Sequence, residues 1–234
     1  MSTYFVLGAT GRTGRHLVDQ LIRQGHSVRT TYRDVRGQSV LDELGATTAL
    51  LDLGDGSVAH LASLMTGVDG VVFAAGAQSQ SDARRIDQNG SILAVNAARA
   101  AGVQRFVQLS SIGAGTSLPP EVRGPQFARV YAAKRAADAH LRASGLDWTI
   151  LEPGWLTDSA GSGRIEAATT GLPAAETPRA DVAATIAAVL ATPSTIGRQF
   201  EVIGGRTRIT QALRNIANEA PSGSPPHGAR RVRW

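Results

Sequence analysis

The chain of 234 residues contains no cysteine. Disulfides, thiolate nucleophiles, iron–sulfur clusters and cysteine-ligated zinc are therefore excluded. No apolar run approaches the ~18 residues that suggest a membrane-spanning helix, so a soluble protein with no membrane partner is expected. No basic leader or cleavable apolar segment precedes the strand pattern that begins by residue 4, which argues against an export signal and for a cytoplasmic location. His16, His26, His60, His140 and His227 show no metal-ligand spacing, and no metal site is expected. The net charge is +5, of which residues 218–234 alone contribute +2 through Arg230, Arg231 and Arg233 against Glu219. There is no basic helix face and no interleaving of basic with aromatic residues, so nucleic acid is not an expected partner.

What the chain does have is an alternation. Short apolar, β-branched stretches (YFVLG, SVRTTYR, TTALL, GVVFAA, RFVQLSS, DWTILEP, QFEVIGG) are separated by Ala/Leu-rich stretches of helical period, among them residues 82–101, 127–144 and 179–191. Continuous apolar strands between helices mark a parallel sheet covered on both faces. The reading is α/β, a doubly wound parallel sheet of the Rossmann type in a single domain over residues 1–219. Gly25, Gly45, Gly67, Gly102 and Gly145 each close a helical stretch, where a left-handed cap costs glycine nothing. Residues 157–178 break the alternation and are expected as a flexible segment over the strand ends, so residues 153–219 supply the elements of a small pocket. Residues 220–234 have no apolar period and read as a flexible basic tail.

Between the first strand and first helix stands VLGATGRTGRHLV, with Gly8, Gly11 and Gly14 at G-x-x-G-x-x-G spacing. In that context glycines permit a tight turn and close backbone approach while the helix N-terminus offers free N–H groups to a pyrophosphate. Thr10 and Thr13 fall within the same loop. Arg12 and Arg15 oppose the macrodipole of the helix they open, which a bound phosphate would relieve. The second strand ends Arg33-Asp34. An arginine there accepts the 2′-phosphate of NADP and an acid holds the ribose diol of NAD; a guanidinium's paired bonds to phosphate favour NADP(H) over NAD(H), with Asp34 as the NAD alternative.

GATGRTG, LDLGD, AAGA, GVQRFVQLSSIGA and YAAKRAADAHLRASGLDWTILEPGWLTD, in that order, resemble the NmrA-like, NAD(P)H-binding branch of the atypical short-chain dehydrogenases/reductases, over residues 3–217. The resemblance implies a dinucleotide-binding Rossmann fold. Such proteins include small reductases of flavins, biliverdin, quinones or other carbonyl compounds, and also dinucleotide sensors without turnover. It further implies that Asp52 and Leu53 frame the adenine, that Ala74, Ala75 and Gly76 line the cofactor, and that Lys134 bonds the nicotinamide ribose. Pro153, Gly154, Trp155 and Leu156 would border the nicotinamide. Asp52 equally suits a turn or helix cap, Pro153 and Gly154 a plain strand-ending turn, and Asp181 a cap or a surface charge.

Many short-chain reductases carry Y-x-x-x-K on one helix, the tyrosine donating a proton. Here Tyr131 stands three residues before Lys134, and one helical position is a rotation of about 100°. Tyr131 is therefore read as pocket lining or packing before acid, with a π-bulge as the route back to the usual position. Ser111, or in the other register Ser110, is the candidate to bond a substrate oxygen. Phe127, Tyr131 and Trp155 would suit a flat aromatic acceptor. Two functions follow: an NADPH-dependent oxidoreductase passing hydride to a small quinone, flavin-like or carbonyl acceptor through Ser111, Tyr131 and Lys134, or a non-catalytic NADP(H) sensor. Y-x-x-K spacing and Glu152, where the family often has arginine, lean toward the sensor. An epimerase or dehydratase reading is disfavoured, because the chain is short for one and a larger carboxyl-terminal substrate domain is not seen. Monomer and homodimer both remain open.

Overall fold

A computed structural model describes residues 1–77, 79–115 and 125–219; the basic tail expected over 220–234 lies outside them. The first strand, β1 (Thr3–Leu7), alternates its apolar side chains between two cores. Tyr4 and Val6 enter one, Phe5 and Leu7 the other. That is the period of two expected of a strand buried on both faces. The alternation recurs along β4 (Gly70–Phe73), β5 (Arg105–Leu109) and β6 (Asp147–Pro153); with β2 (Ser27–Tyr32), β3 (Thr47–Leu50) and β10 (Arg198–Gly204) these strands pair in parallel in the order β3-β2-β1-β4-β5-β6-β10. Beyond β10 the sheet continues with two antiparallel strands, β8 (Arg164–Ala168) and β11 (Thr207–Arg208).

Helices α1 (Arg12–Arg23), α6 (Arg179–Leu190) and α7 (Ile209–Asn218) cover one face, and α3 (Val58–Met65), α4 (Ser91–Ala100) and α5 (Pro125–Arg142) the other. Helix α2 (Val35–Glu43) follows β2 and adds Leu41 to the core on the α1 side. The five glycines expected to close helices all adopt positive φ, from 74° to 83°. Among the described residues no helix is long and apolar enough to cross a membrane.

The structure departs from the sequence reading in two places. Residues 157–178 are not a featureless flexible segment. They run from the end of β7 (Trp155–Thr157) through β8 to β9 (Glu176–Pro178), with β7 and β9 pairing in parallel as a separate ribbon. The Gly-, Ser- and Thr-rich composition hid these strands because their partners are distant in sequence. The second departure is the helical stretch expected over 82–101. It begins as a seven-residue π-helix, Arg84–Gly90, and becomes α-helical only at Ser91.

The segment between β7 and β8 is fastened by Asp181 in the first turn of α6. Its buried carboxylate accepts from the backbone N–H groups of Ser162 (3.0 Å) and Gly163 (2.7 Å) and from the Ser162 hydroxyl. Asp181 thus serves the loop rather than being a surface charge. Asp181→Ala leaves those donors without their acceptor and is expected to cost about 1–3 kcal/mol of stability by urea unfolding. Proteolytic nicking within 158–163 should rise with it, and an unchanged unfolding midpoint would refute this tethering role.

Candidate functional site

The strand order changes direction between β1 and β4, and at such a switch point the loops leaving the carboxyl ends of the strands part to leave a crevice. A groove occupies this position. Its outer half, about 170 Å³, is lined by Gly8, Thr10, Arg33, Asp52, Leu53 and Arg85 among others. Its inner half, about 290 Å³, is lined by Arg12, Thr13, Gly14, Ser110, Ser111, Lys134, Pro153, Gly154, Leu156 and Arg179. Gly11, Ala74, Ala75 and Gly76 line both halves and make them continuous. Of the residues expected to hold a cofactor, Trp155 alone is absent from this lining. Its indole is partly exposed and packs on Phe127, ring centroids 5.9 Å apart.

The floor of the groove requires its glycines. Gly8 has φ +86°, and a Cβ there would lie 2.4 Å from the backbone nitrogen of Ala75. A Cβ on Gly14 would lie 2.2 Å from the Gly8 carbonyl oxygen. No side chain caps α1, because its N-cap is Gly11, so the first-turn N–H groups face the groove without a built-in acceptor. Of the two arginines in that turn, Arg15 donates to the carbonyl of Thr10, and Arg12 pairs with Asp158, which follows β7.

In the outer half, Asp52 accepts from the Gly54 backbone N–H (2.8 Å) and from Arg85 (3.1 Å). The Gly54 bond, then Arg85, hold its carboxyl below the usual carboxylate range despite partial burial. Arg85 also pairs with Asp55, so the carboxylate expected at the adenine is the hub of a small charge network. Asp34 turns away: it is the N-cap of α2 and accepts from the Gly37 N–H at 2.9 Å. Arg33 has no hydrogen bond or ion pair with a described residue.

In the inner half the two serines of LSS part company. Ser110 donates to the buried Asp138 at 2.6 Å, and Asp138 also accepts from Gln108, whose carbonyl accepts from Ser91. Ser111 instead reaches Tyr131, hydroxyl to hydroxyl at 3.3 Å. A regular α5 therefore brings the tyrosine to the strand-end serine even at Y-x-x-K spacing. The π-helix lies elsewhere, and its role concerns the lysine. It carries Asp87, whose side chain is 3% exposed and whose carboxylate lies 3.0 Å from the Lys134 ammonium, itself 17% exposed. The second oxygen of Asp87 accepts from the Ala77 N–H, just past the lining residue Gly76.

Sequence reasoning missed Asp87, Asp138, Asp158, Arg85 and Arg179. One signal was available for the lysine: Lys134 is the single lysine in a chain with 23 arginines. A compact ammonium placed once, where every other cation is a guanidinium, marks a position that needs a point charge.

Behind the Ser111 loop, Glu152 is fully buried on β6 and accepts from the Gly115 N–H at 2.7 Å, and among the described residues its second oxygen has no hydrogen-bond partner. Burial pushes its carboxyl up to about 7, and neighbouring Asp138 and Glu201 act in the same direction. Glu201 stands directly across the β6–β10 ladder from it and accepts from the Leu172 N–H.

Two outcomes are expected. The unfolded chain ionises Glu152 near 4.5 and the folded chain near 7. The folded state therefore holds the extra proton between those values, and stability falls as pH rises through that window. Glu152→Gln should remove this decline, so that its advantage over the parent grows by on the order of 1–3 kcal/mol between about pH 5 and pH 8 in urea unfolding; a constant gap would refute it. Asp87→Asn should free the ammonium, so that amine-reactive labelling of Lys134, the only lysine, accelerates by about 10-fold with a loss of about 1–3 kcal/mol in stability. Unchanged labelling, read by peptide mapping, would show that Asp87 does not hold it.

Comparison with known proteins accords with this geometry. The family model described as NAD(P)H-binding matches residues 8–193. A Bacillus subtilis (strain 168) protein named an uncharacterized sugar epimerase, YhfK, is 33% identical over 216 residues, covering 91% of this chain and 99% of that protein. Among solved structures, a putative NAD-dependent epimerase/dehydratase from Bacillus halodurans superposes with a TM-score of 0.83 at 29% identity, covering 92% of this chain and all 100% of the other. The oxidoreductase ylbE from Lactococcus lactis superposes at 0.81 with 27% identity, covering 93% and 97%. Since one family model spans the glycine turn, both halves of the groove and the helix that carries Lys134, the chain belongs to the NAD(P)H-binding family.

Proposed function

We propose that the protein is an NADPH-dependent oxidoreductase, in which the bound dinucleotide supplies hydride to a small quinone, flavin-like or carbonyl acceptor. The observation that carries this reading is the Ser111–Tyr131 hydroxyl pair at the inner end of the groove, where Lys134, Pro153 and Gly154 also stand. The residues present fit such a cofactor. The side-chain-free turn at Gly8, Gly11 and Gly14 admits a pyrophosphate to the backbone, and the uncapped α1 offers it N–H donors. Arg33 takes the 2′-phosphate, a role supported by Asp34 committing its carboxylate to the Gly37 N–H. Asp52 and Leu53 frame the adenine. Lys134, aimed by Asp87, bonds the nicotinamide ribose.

Ser111 Oγ gives its proton to the acceptor's oxygen as that oxygen becomes a hydroxyl, Tyr131 Oη replaces the proton on Ser111, and solvent returns one to the phenolate. Phe127 and Trp155 pack on each other outside the groove lining, and this apolar pair is the surface we assign to a flat acceptor. The oxidoreductase named among the structural relatives supports the class. One observation favours the non-catalytic sensor instead: the ammonium is bonded to Asp87, and no bond joins it to the Tyr131 phenol. The epimerase names of two relatives favour a third reading, transfer that returns the dinucleotide unchanged.

Fluorescence titration with NADPH and NADH, followed by an acceptor panel in the same cuvette, separates the oxidoreductase from the other two. NADPH should bind at least 10-fold more tightly than NADH, and Arg33→Gln should erase that difference, in keeping with about 1.5–3 kcal/mol for a charged hydrogen bond. Ser111→Ala and Tyr131→Phe should each slow acceptor-dependent NADPH oxidation by about 10²-fold with dinucleotide affinity kept. Binding with no oxidation by any acceptor would leave the sensor or the epimerase, and NADH preference would overturn the role of Arg33.

A further inference from the structure

Two helices begin side by side at the inner half of the groove, α1 with Arg12 and α6 with Arg179. Both arginines line the cleft, and both hold the same carboxylate. Arg12 donates to one oxygen of Asp158 and Arg179 to the other, the latter at 2.8 Å. Partial desolvation of Asp158 is outweighed by the two guanidinium groups, which hold its carboxyl below the ordinary range. The Arg179 side chain is only 12% exposed, whereas those of Arg12 and Asp158 are 66% and 56% exposed. Asp158 directly follows the β7–β9 pairing at Thr157, and the far end of its segment at Ser162 and Gly163 is tied down by Asp181. Two cations against one exposed carboxylate leave a positive charge in the cleft beside the uncapped first turn of α1.

We infer that Arg12 and Arg179 form one anion site, that Asp158 fills it in the free protein, and that the dinucleotide's pyrophosphate displaces the Asp158 carboxylate on binding. The inference rests on the dinucleotide reading above and adds Arg179 as a phosphate ligand and Asp158 as its resident competitor. The exchange suits the physics: the Arg12–Asp158 pair is exposed on both sides and therefore weak in water, and a phosphate offers the same two guanidinium groups more charge and more acceptor oxygens.

NADPH titrations of the full chain test it. Asp158→Asn should tighten NADPH by about 2- to 5-fold, the range by which an exposed ion pair can compete. Asp158→Glu, which keeps the competitor, should stay near the parent. Arg179→Gln should weaken NADPH, and in the double variant with Asp158→Asn the gain should vanish. Adenosine 2′,5′-bisphosphate, which lacks the nicotinamide-side phosphate, should respond less to Asp158→Asn than NADPH does, and Asp19→Asn, elsewhere on α1, should change nothing. Unchanged or weaker NADPH binding by Asp158→Asn overturns the exchange, as does an equal gain for the bisphosphate or for Asp19→Asn, which would mark a bulk charge effect. A parent protein that binds neither NADPH nor NADH overturns the dinucleotide reading itself, whereas a parent that binds while Asp158→Asn is inert sinks the exchange alone.

Discussion

The turn from β1 into α1 lies directly on the backbone that leaves β4, and the rest of the site depends on that contact. Gly8 touches Ala75 where a Cβ would overlap backbone atoms, and Gly14 sits as closely on the Gly8 carbonyl. A side chain at either position would lift α1 from the sheet, because backbone on both sides of the contact cannot give way as a flexible side chain can. With α1 seated, its uncapped first turn opens into the groove, and Arg12 comes within reach of the segment after β7. The two halves of the groove join at Gly11 and Ala74–Gly76 for the same reason.

Around this contact the loops are tethered by buried acids rooted in regular elements. Asp87 holds the Ala77 N–H, Glu152 the Gly115 N–H, Glu201 the Leu172 N–H, and Asp181 the turn at Ser162 and Gly163. Asp138 does the same for the side chains of Ser110 and Gln108. A carboxylate accepting from backbone N–H groups is an effective tether because charge-assisted bonds are stronger than neutral ones. Burial makes the same groups costly to ionise, which is why Glu152 and Asp138 are pushed upward. The groove thus owes part of its definition to groups whose charge opposes their burial.

Much of the fold was legible because the information was local. The alternation of apolar strands with helical stretches, the glycines closing the first five helices and the glycine turn after β1 are written in stretches shorter than twenty residues. Most of the lining of the groove was legible for the same reason, because those residues sit at strand ends or in the glycine turn; Arg85 and Arg179, which lie on helices, were not. The ribbon of β7 and β9 was not legible, since its pairing joins residues about twenty positions apart through a segment with no apolar period. Asp87 was not legible either. A π-helix has no compositional mark, yet it sets which residue of RRIDQNG faces the lysine.

The sequence by itself determined the class of fold, the place of the glycine turn and the candidate residues at the strand ends, because periodicity and glycine sterics act over a few neighbouring positions. Only the tertiary structure decided which of those candidates meet. It joined Ser111 to Tyr131 despite the short spacing, gave Lys134 to Asp87 rather than to the phenol, turned Asp34 into a helix cap, and laid Asp158 between two arginines. Each of these pairings, apart from the Asp34 cap, joins segments twenty or more residues apart. They are fixed by how helices pack on the sheet, a property of the whole chain that no short stretch encodes.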